Sequence, residues 1–526
     1  MVTTIASGVR QPAGPGRVTR IAAPVLGVAV VIGVWTVGGR ADWAGGFVVT
    51  PSEAIAPLVG DSTDLYVRAT RATVWAAFRG LLIGGGLAFL AALVAAAVPA
   101  LRNSIIRLAA IANAAPWVAI APCLLIVLGR ERGPVAVAAI AVFFFVFVAT
   151  SVGLSSAPPA SHDVATSLGS SRARRVWSVQ LPAAWPSVTD GLKLAAPASL
   201  AGAVFGEWYG AERGLGVLLI TSMQGGRAER LWAASLLSAA CGLAAYGLLA
   251  AVRWAAVRRF GAAIGAEASV RPRRGRGPRS LAIEVGAIAA LVGVLVLAWW
   301  AWIEAADVSP IVVPRPSAVL DDVLGAPGDY LSATAQTLWT AAIARTIGTA
   351  FGLTAARVAS RYELVAGMTV PFVILLAATP LVALFPLFAR VLGYNPTTVW
   401  ALASVLVFYP VFVFTRSGVG AASASTLDVA HALGADRSTR FRKVILPSAI
   451  PHVASGFRIA CGSAVLAAVV GESLIGREGL GVEFAFAYRL LELPRAFGAA
   501  IFVVITSVLT FAAAGVLERR AHERWT

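Results

Sequence analysis

The sequence predicts an all-α polytopic membrane protein with about twelve spanning helices, arranged as two tandem six-helix repeats. Of its 526 residues, 58% are hydrophobic and only 13% are charged, and the mean hydropathy is +0.80. Soluble proteins of this length have more charge and shorter apolar segments. Here the apolar segments reach the roughly 20 residues that a helix needs to cross a bilayer. The motifs of the first half also return in the second half.

The repeat has a period of about 265 residues. The motif pairs that show it are Asp163-Val-Ala-Thr-Ser-Leu-Gly169 with Asp428-Val-Ala-His-Ala-Leu-Gly434, Gly206-Glu207 with Gly471-Glu472, Gly214-Leu-Gly216 with Gly479-Leu-Gly481, and, one residue short of the period, Thr73-Val-Trp75 with Thr337-Leu-Trp339. Agreement at so many positions indicates a tandem duplication. The predicted organisation is a first repeat at 1–257, a basic linker at 258–280 and a second repeat at 281–526.

Each repeat contains six apolar segments of spanning length. In the first repeat they are Ile21–Val37, Thr73–Val98, Ile105–Leu128, Pro134–Leu154, Pro186–Phe205 and Leu231–Val252. In the second repeat they are Leu281–Trp302, Thr337–Val358, Val365–Val391, Thr397–Val419, Pro451–Val470 and Ala496–Leu517. An even number of spans gives both repeats the same orientation. We therefore expect a pseudo-two-fold axis along the membrane normal, with a pathway where the repeats meet.

Basic residues alternate with acidic residues between the predicted spans. Arginines precede the first span and follow the fourth, and the linker after the sixth is basic, whereas the segments after the first and seventh spans are acidic. Because cytoplasmic loops contain the excess of Lys and Arg, both termini are predicted to be cytoplasmic. This distribution also explains the formal net charge of +17 without nucleic acid, since no basic stripe is interleaved with aromatic residues.

The loop after the fourth span of each repeat has a fixed spacing of acidic and small residues. The residues in the first copy are Asp163, Ala165, Gly169, Leu181 and Pro182, and those in the second are Asp428, Ala430, Gly434, Leu446 and Pro447. This pattern resembles the EAA loop of binding-protein-dependent ABC importers, which reads Glu-Ala-Ala, three residues, Gly, nine residues and Ile-x-Leu-Pro. Asp replaces Glu, and Val replaces the first Ala, in both copies. The alternative is an ordinary basic cytoplasmic loop, against which two copies in register argue.

The residue types of this loop suit a docking element. The aspartate of each copy is expected to cap or charge-complement a helix start. The glycine permits a tight turn between two short helices. The Leu-Pro pair is expected to mark where the chain turns towards the next spanning helix. These residues are therefore our candidates for coupling to an ATPase.

The resemblance implies a type I ABC importer permease fold and a multi-pass subunit of the bacterial plasma membrane. Each loop is then expected to dock on one of two separate ATPase subunits, which bind the ATP and Mg²⁺, so that this chain has no cofactor of its own. An extracytoplasmic solute-binding protein and the lipid bilayer are the other implied partners. The late Gly-Leu-Gly element and six spans per unit resemble the nitrate/sulfonate/taurine-type permeases, with two units fused. A small anionic or organic solute follows by analogy.

The sequence contains no ATPase motif of its own. A phosphate-binding loop ends in Gly-Lys-Ser/Thr, and the two lysines of the chain, Lys193 and Lys443, follow Leu and Arg. The chain is therefore not expected to be an enzyme, and its scattered histidines and cysteines form no pattern typical of a metal site. The alternative function is a secondary transporter or channel that works without ATP, which would favour paired ionisable residues at mid-membrane.

Ionisable residues and prolines within the spans are candidates for a pathway or gate, because charges and broken helices are costly in a bilayer. The candidates are Glu207 and Glu472 at the ends of the fifth and eleventh spans, Lys193 and Arg458 near their starts, and Pro116 and Pro380 in the third and ninth. The alternative is that the carboxylates face water beside the Gly-Leu-Gly turn, while the cations extend to the membrane interface.

Overall fold

A computed structural model describes residues 17–43, 46–60, 63–98, 117–260, 278–310, 312–378, 384–476 and 478–525. Within these ranges the chain forms helices and no β-strand. The all-α polytopic fold predicted from the apolar segments is therefore confirmed. The two ends of the predicted linker, 258–260 and 278–280, lie in the helices Ala228–Phe260 and Pro278–Ala305, and 261–277 lie outside the described residues.

The two halves contain similar series of helices. In the first half they are α1 (Arg17–Arg40), α2 (Pro51–Gly60), α3 (Thr63–Ala97), α4 (Trp117–Ser155), α5 (Pro159–Ser167), α6 (Arg172–Arg175), α7 (Leu181–Trp208), α8 (Leu215–Gln224) and α9 (Ala228–Phe260). In the second half they are α10 (Pro278–Ala305), α11 (Pro316–Gly325), α12 (Pro327–Arg361), α13 (Glu363–Ala378), α14 (Phe385–Leu392), α15 (Pro396–Gly420), α16 (Ala424–Ala432), α17 (Arg437–Arg440), α18 (Leu446–Ile475), α19 (Leu480–Arg489) and α20 (Leu493–Trp525). A π-helical turn precedes α7 (Val176–Gln180) and α18 (Phe441–Ile445).

Among the described helices, seven are long and apolar enough to cross a membrane. They are Ala22–Arg40, Thr63–Ala97, Val127–Ser155, Ala228–Ala255, Pro396–Gly420, Ser438–Ile475 and Leu493–Trp525. The count of six spans in each half stays a prediction. The third and ninth predicted spans fall partly on residues outside the described ranges, and the fifth and eighth lie on α7 and α12, which are not among the seven. Several helices are longer than their apolar segments. For example, α3 begins at Thr63 rather than Thr73, and a 2.9 Å ion pair between Arg68 and Asp64 stabilises its polar first turns.

Both halves break a helix at the same glycine of the repeat. Gly129 interrupts α4 with φ 80° and ψ 171°. Gly393 ends α14 with φ 85° and ψ 171°. Positive φ angles of this kind favour glycine, because a Cβ atom would clash with the backbone. The duplication therefore extends to backbone conformation as well as to sequence.

Close helix packing is also repeated between the halves. A Cβ atom on Gly84 of α3 would lie 2.1 Å from the carbonyl oxygen of Ala139 on α4. A Cβ atom on Gly348 of α12 would lie 2.6 Å from the carbonyl oxygen of Ser404 on α15. Small residues let spanning helices approach until their backbones touch. These two helix pairs consequently hold the same relative position in each half.

The first helix of the chain packs on the second half. Helix α1 lies along α13. The contact is close, because a Cβ atom on Gly27 would lie 2.6 Å from the carbonyl oxygen of Met368, and one on Gly367 would lie 2.4 Å from the Cβ of Ala23. The two halves are therefore interlocked rather than joined only by the linker.

Candidate functional site

The first EAA-like loop, residues 156–180, contains α5, a turn at Leu168 and Gly169, α6 and a π-helical turn. The amide of Gly169 donates to the carbonyl of Thr166, and the amide of Ser170 donates to the carbonyl of Ala165, both at 3.0 Å. Gly169 has φ 69°, and a Cβ atom there would meet nothing within 4 Å. Its backbone conformation alone therefore favours glycine. The turn joins two short helices, as the spacing predicts.

The second EAA-like loop, residues 421–445, repeats this backbone. Gly434 has φ 73°, its amide donates to the carbonyl of His431, and the amide of Ala435 donates to the carbonyl of Ala430, again at 3.0 Å. The start of α17 is different, because Asp436 accepts hydrogen bonds from the amides of Ser438 and Thr439 at 3.3 and 3.1 Å.

Hydrogen bonding also changes the acidity of that cap. Bonds from the side chain and then the amide of Thr439 hold the pKa of the Asp436 carboxyl below its usual range. In the first loop the matching α6 is capped by Ser171, whose hydroxyl accepts from the Arg174 amide at 3.3 Å. A hydroxyl cap does not titrate near neutral pH, so only the second loop contains an ionisable cap.

Two expectations for these loops are wrong. Asp163 and Asp428 lie within α5 and α16 and cap neither helix. Each helix starts earlier, at a proline in the first loop and in the second after Ser423, whose hydroxyl accepts from the Thr426 amide at 3.1 Å.

The chain also does not turn at the Leu-Pro pair. The π-helical turn leads directly into α7 and α18, and the amides of Leu181 and Leu446 donate to the carbonyls of Val176 and Phe441 five residues earlier. Pro182 and Pro447, which lack an amide proton, then occupy the first turn of the following α-helix.

An arginine attaches each loop to a long helix earlier in the same half, α3 in the first half and α12 in the second. In the first half, Arg172 Nε donates to the carbonyl of Ala96 near the end of α3 at 3.3 Å. In the second half the arginine comes from the helix, because Arg357 of α12 lies over the ring of Phe441 at 4.5 Å. Among the candidate residues, Leu181 is buried and Leu446 is 44% exposed. The attachment positions the loops and leaves their tips free.

The tip of each loop exposes a pair of apolar side chains. Val164 and Leu168 are 59% and 78% exposed, and they lie one turn apart on the same face. Val429 and Leu433 occupy the equivalent positions and are 59% and 82% exposed. Ala165, the next residue after Val164, is buried. The same apolar surface is therefore presented twice.

A second repeated site lies at the far ends of α7 and α18. Glu207 is only 2% exposed, and its Oε2 accepts hydrogen bonds from the Thr73 hydroxyl at 3.0 Å and the Gly216 amide at 2.8 Å. The Thr73 hydroxyl in turn accepts from the Leu215 amide at 2.8 Å. We call this arrangement the carboxylate latch, because it joins α3, α7 and α8.

The second half contains the same latch. Glu472 is 3% exposed, and its Oε2 accepts from the Thr337 hydroxyl at 2.8 Å and the Gly481 amide at 3.1 Å. The Thr337 hydroxyl accepts from the Leu480 amide at 2.9 Å. The alternative that these carboxylates face water is wrong, because both are buried. A role for them in a gate stays a prediction.

The glycines of the Gly-Leu-Gly element make room for the latch. A Cβ atom on Gly214, at φ 140°, would lie 2.2 Å from the Glu207 carboxyl carbon, and one on Gly479, at φ 115°, would lie 2.4 Å from that of Glu472. In the sequence, Thr73 and Thr337 of the latch are apparent only as part of the repeat. A polar residue repeated within an apolar helix was the signal that could have identified them.

The cationic candidates are paired at helix interfaces. Lys193 Nζ lies 3.1 Å from Asp190 on the same helix and 5.6 Å from the ring centre of Tyr246 on α9. Arg458 Nη1 lies 2.6 Å from Glu518 on α20 and its guanidinium lies over Phe511 at 4.3 Å. A contact of either cation with the solute stays a prediction. Each of the two charges is balanced by a carboxylate.

Pro116 and Pro380 are outside the described residues. Within the described ranges, no group of three or more His, Cys, Asp or Glu side chains could hold a metal ion.

A family model described as the binding-protein-dependent transport system inner membrane component matches this chain twice, at residues 84–255 and 348–523. One matched region lies in each half. Both EAA-like loops and both latch glutamates fall within the matched regions. The exact ends of the two repeats stay predictions.

Several known proteins are similar to part of the chain. A probable ABC transporter permease protein of Haemophilus influenzae is 28% identical over 221 residues, which are 42% of this chain and 90% of the relative. The taurine transport system permease protein TauC of Escherichia coli is 28% identical over 39% of this chain and 75% of its own length. The formylaminopyrimidine transport permease protein ThiX of Halalkalibacterium halodurans is 30% identical over 28% of this chain and 59% of its own length. Each of these matches therefore covers less than half of this chain, but between 59% and 90% of the relative.

Proposed function

The chain belongs to the family of binding-protein-dependent transport system inner membrane components, as two permease units fused in one polypeptide, and from this premise we propose that its halves form the solute pathway of an ATP-driven importer. Members of this family work with ATPase and solute-binding partners in general. In our proposal, two ATPase subunits bind the EAA-like loops of this chain. A solute-binding protein delivers the solute on the opposite side of the membrane.

The repeated apolar surface of the loops is the observation that supports this proposal best. Leu168 and Leu433, at 78% and 82% exposed, are among the most exposed large apolar residues described. Burying such a side chain contributes about 1.5–3 kcal/mol. Two equal surfaces at the tips of two loops therefore suit two equal grooves on a partner.

The charges around this surface indicate the chemistry of the partner. Arg172 and Arg174 beside the first surface, and Arg442 and Lys443 beside the second, are exposed to solvent. A groove with an apolar floor and an acidic rim would complement both loops. ATP and Mg²⁺ are then bound by the partner, and this chain moves solute without hydrolysing ATP itself.

The orientation and the solute belong to the same proposal. The basic loops favour a cytoplasmic location for both termini in the bacterial plasma membrane. The relatives are named for taurine and formylaminopyrimidine, which supports a small organic or anionic solute. The latch ends of α7 and α18 are then at the outer side.

Co-purification of the partner tests the proposal. The tagged chain is isolated from its native membranes in mild detergent, and companions are quantified by mass spectrometry. We expect two ATPase subunits per chain. The double variant L168D/L433D should lose them, because a charge replaces each apolar contact. The matched control is L324D, which alters a leucine that is 68% exposed on α11, away from both loops.

Either outcome is decisive. Loss of the ATPase in the loop variant but not in the control supports docking at the loops. A chain that purifies alone, yet moves solute in liposomes without ATP, would establish a secondary transporter or channel instead.

A further inference from the structure

A cluster of buried side chains joins the two halves. Its members are Val137, Phe205, Phe385, Leu402 and Val470, each at most 1% exposed. Val137 and Leu402 occupy equivalent positions of the repeat, and so do Phe205 and Val470. Positions related by a two-fold axis are equally far from it, so both members of a pair share one cluster only when they lie close to the axis. The cluster therefore fills the space around the axis near the ends of α7 and α18 that contain Phe205 and Val470.

The two halves contribute side chains of different size to this cluster. The first half contributes Phe205, whose ring lies 5.1 Å from that of Trp208 and 5.2 Å from that of Tyr209. The second half has Val470, Ser473 and Leu474 at the equivalent positions. An aromatic side chain on one side of the axis thus faces a smaller one on the other. A close-packed interior favours such a large–small pair over two rings.

An aromatic contact joins the halves beside this cluster. The Tyr209 ring, at the end of α7, meets the edge of the Tyr488 ring of α19, with 6.1 Å between the ring centroids. This contact exists only while the ends of the two halves are together.

The same helix faces are uncovered nearer the loops. Leu194 precedes Phe205 on α7, and Ile459 precedes Val470 on α18, by about three turns or 16 Å on the same face. Leu194 is 46% exposed and Ile459 is 43% exposed, although they are equivalent positions facing the same axis. The helices α7 and α18 are therefore closed together at the latch end and apart at the loop end.

We propose that the cluster around Phe205 and Val470, together with the Tyr209–Tyr488 ring contact, is the gate of the solute pathway at the latch end, and that the structure has this gate closed and the loop end open. The inference rests on the proposed function, since it requires a pathway along the axis. It assigns the gate to residues next to the predicted Glu207 and Glu472. The latches then hold the short helices α8 and α19 against the moving helix ends.

Thiol labelling in membrane vesicles tests the gate. Cys123, Cys241 and Cys461 are replaced by alanine, and single cysteines are introduced as I459C, V470C and, to mark the loop side, L168C. A charged, membrane-impermeant maleimide is then applied from each side separately. Without ATP, we expect I459C to react from the side that labels L168C and not from the other. V470C should react from neither side. Monodisperse elution of each variant in detergent establishes that it has folded.

The outcomes separate the gate from the coupling. Reaction of V470C from the latch side at rest, or failure of I459C to react from the loop side, would overturn the proposed gate. The second arm adds ATP and vanadate to vesicles that contain the ATPase partner, and V470C should then react from the latch side. If the resting pattern holds but ATP changes nothing, the gate stands and the proposed coupling to an ATPase fails.

Discussion

In the first half an aspartate on α7 faces an arginine on α9, whereas in the second half an arginine on α18 faces a glutamate on α20. Arg253 Nε lies 2.7 Å from Asp190 Oδ1, and Arg458 Nη1 lies 2.6 Å from Glu518 Oε2. Arg253 and Glu518 occupy equivalent positions of the repeat. Each half therefore has an ion pair between equivalent helices, α7 with α9 and α18 with α20. The acidic residue is on the first helix of the pair in the first half and on the second helix in the second half.

The carboxylate latch behaves differently, because it is the same in both halves. Its donors are a threonine hydroxyl and a backbone amide. Because the backbone amide is always a donor, an acceptor oxygen is needed at this position in each half. An ion pair needs only opposite charges in contact, so its two members can exchange places between the helices.

The equivalent of Arg458 in the first half is Lys193. Lys193 Nζ lies 3.1 Å from Asp190 on the same helix. Asp190 therefore contacts one cation of its own helix and one of α9, whereas Arg458 contacts a carboxylate on the neighbouring helix.

The largest expected effect comes from adding a methyl group at Gly216 or Gly481, the latch glycines whose amides donate to the glutamates. A Cβ atom on Gly216 would lie 2.1 Å from the carbonyl oxygen of Val204, and one on Gly481 would lie 2.2 Å from that of Val469. Because a backbone oxygen cannot move aside, we expect G216A and G481A each to cost about 3 kcal/mol. The thermal midpoint of the purified chain measures the loss, which should be similar in the two halves.

The control for the glycine substitutions is G247A. Gly247 lies in the helix α9 and a Cβ atom there would meet nothing within 4 Å. Alanine is favoured over glycine in a helix by about 1 kcal/mol, so the midpoint should stay or rise. A loss confined to one of the two latches would show that they are not equivalent.

Reversal of one ion pair should have a smaller effect. In R253E a glutamate faces Asp190, while Lys193, 3.1 Å from Asp190, offsets part of the repulsion. Because Arg253 and Asp190 are each about 40% exposed, we expect a cost of about 0.5–1 kcal/mol. The double variant D190R/R253E restores opposite charges with the direction found in the second half. It should recover most of the lost thermal midpoint. If the double variant is as unstable as the sum of its single changes, the pair does not stabilise the helix contact.

The smallest expected effect distinguishes the caps of the two loops. The lowered pKa of Asp436 means that its carboxylate stabilises α17 above the usual Asp range, and that this contribution is lost as the pH falls through the lowered pKa. Ser171, the cap of α6, does not titrate. Amide hydrogen exchange, corrected for intrinsic rates, should show acid-induced opening at Thr439 and none at Arg174. D436N should remove the difference.

The sequence predicts the features that the two halves share. Identical motifs at one period locate the EAA-like loops, the Gly-Leu-Gly turns and the glutamates of the latch. Repetition cannot reveal features in which the halves differ. The ion pairs were missed because their charges are exchanged, and the axial cluster was missed because Phe205 corresponds to Val470. The hydrogen-bond partners of the glutamates, more than 130 residues away in sequence, become apparent only in the fold.

The most direct test of two permease units meeting on one axis exchanges Phe205 and Val470. The variant V470F places two rings on the axis and should cost about 2 kcal/mol by overpacking. The variant F205V leaves a cavity and should cost a similar amount. The double variant F205V/V470F again has one ring and one valine, so its thermal midpoint should return close to that of the parent chain. Additive losses in the double variant would contradict the account, because the two positions would then not share one space.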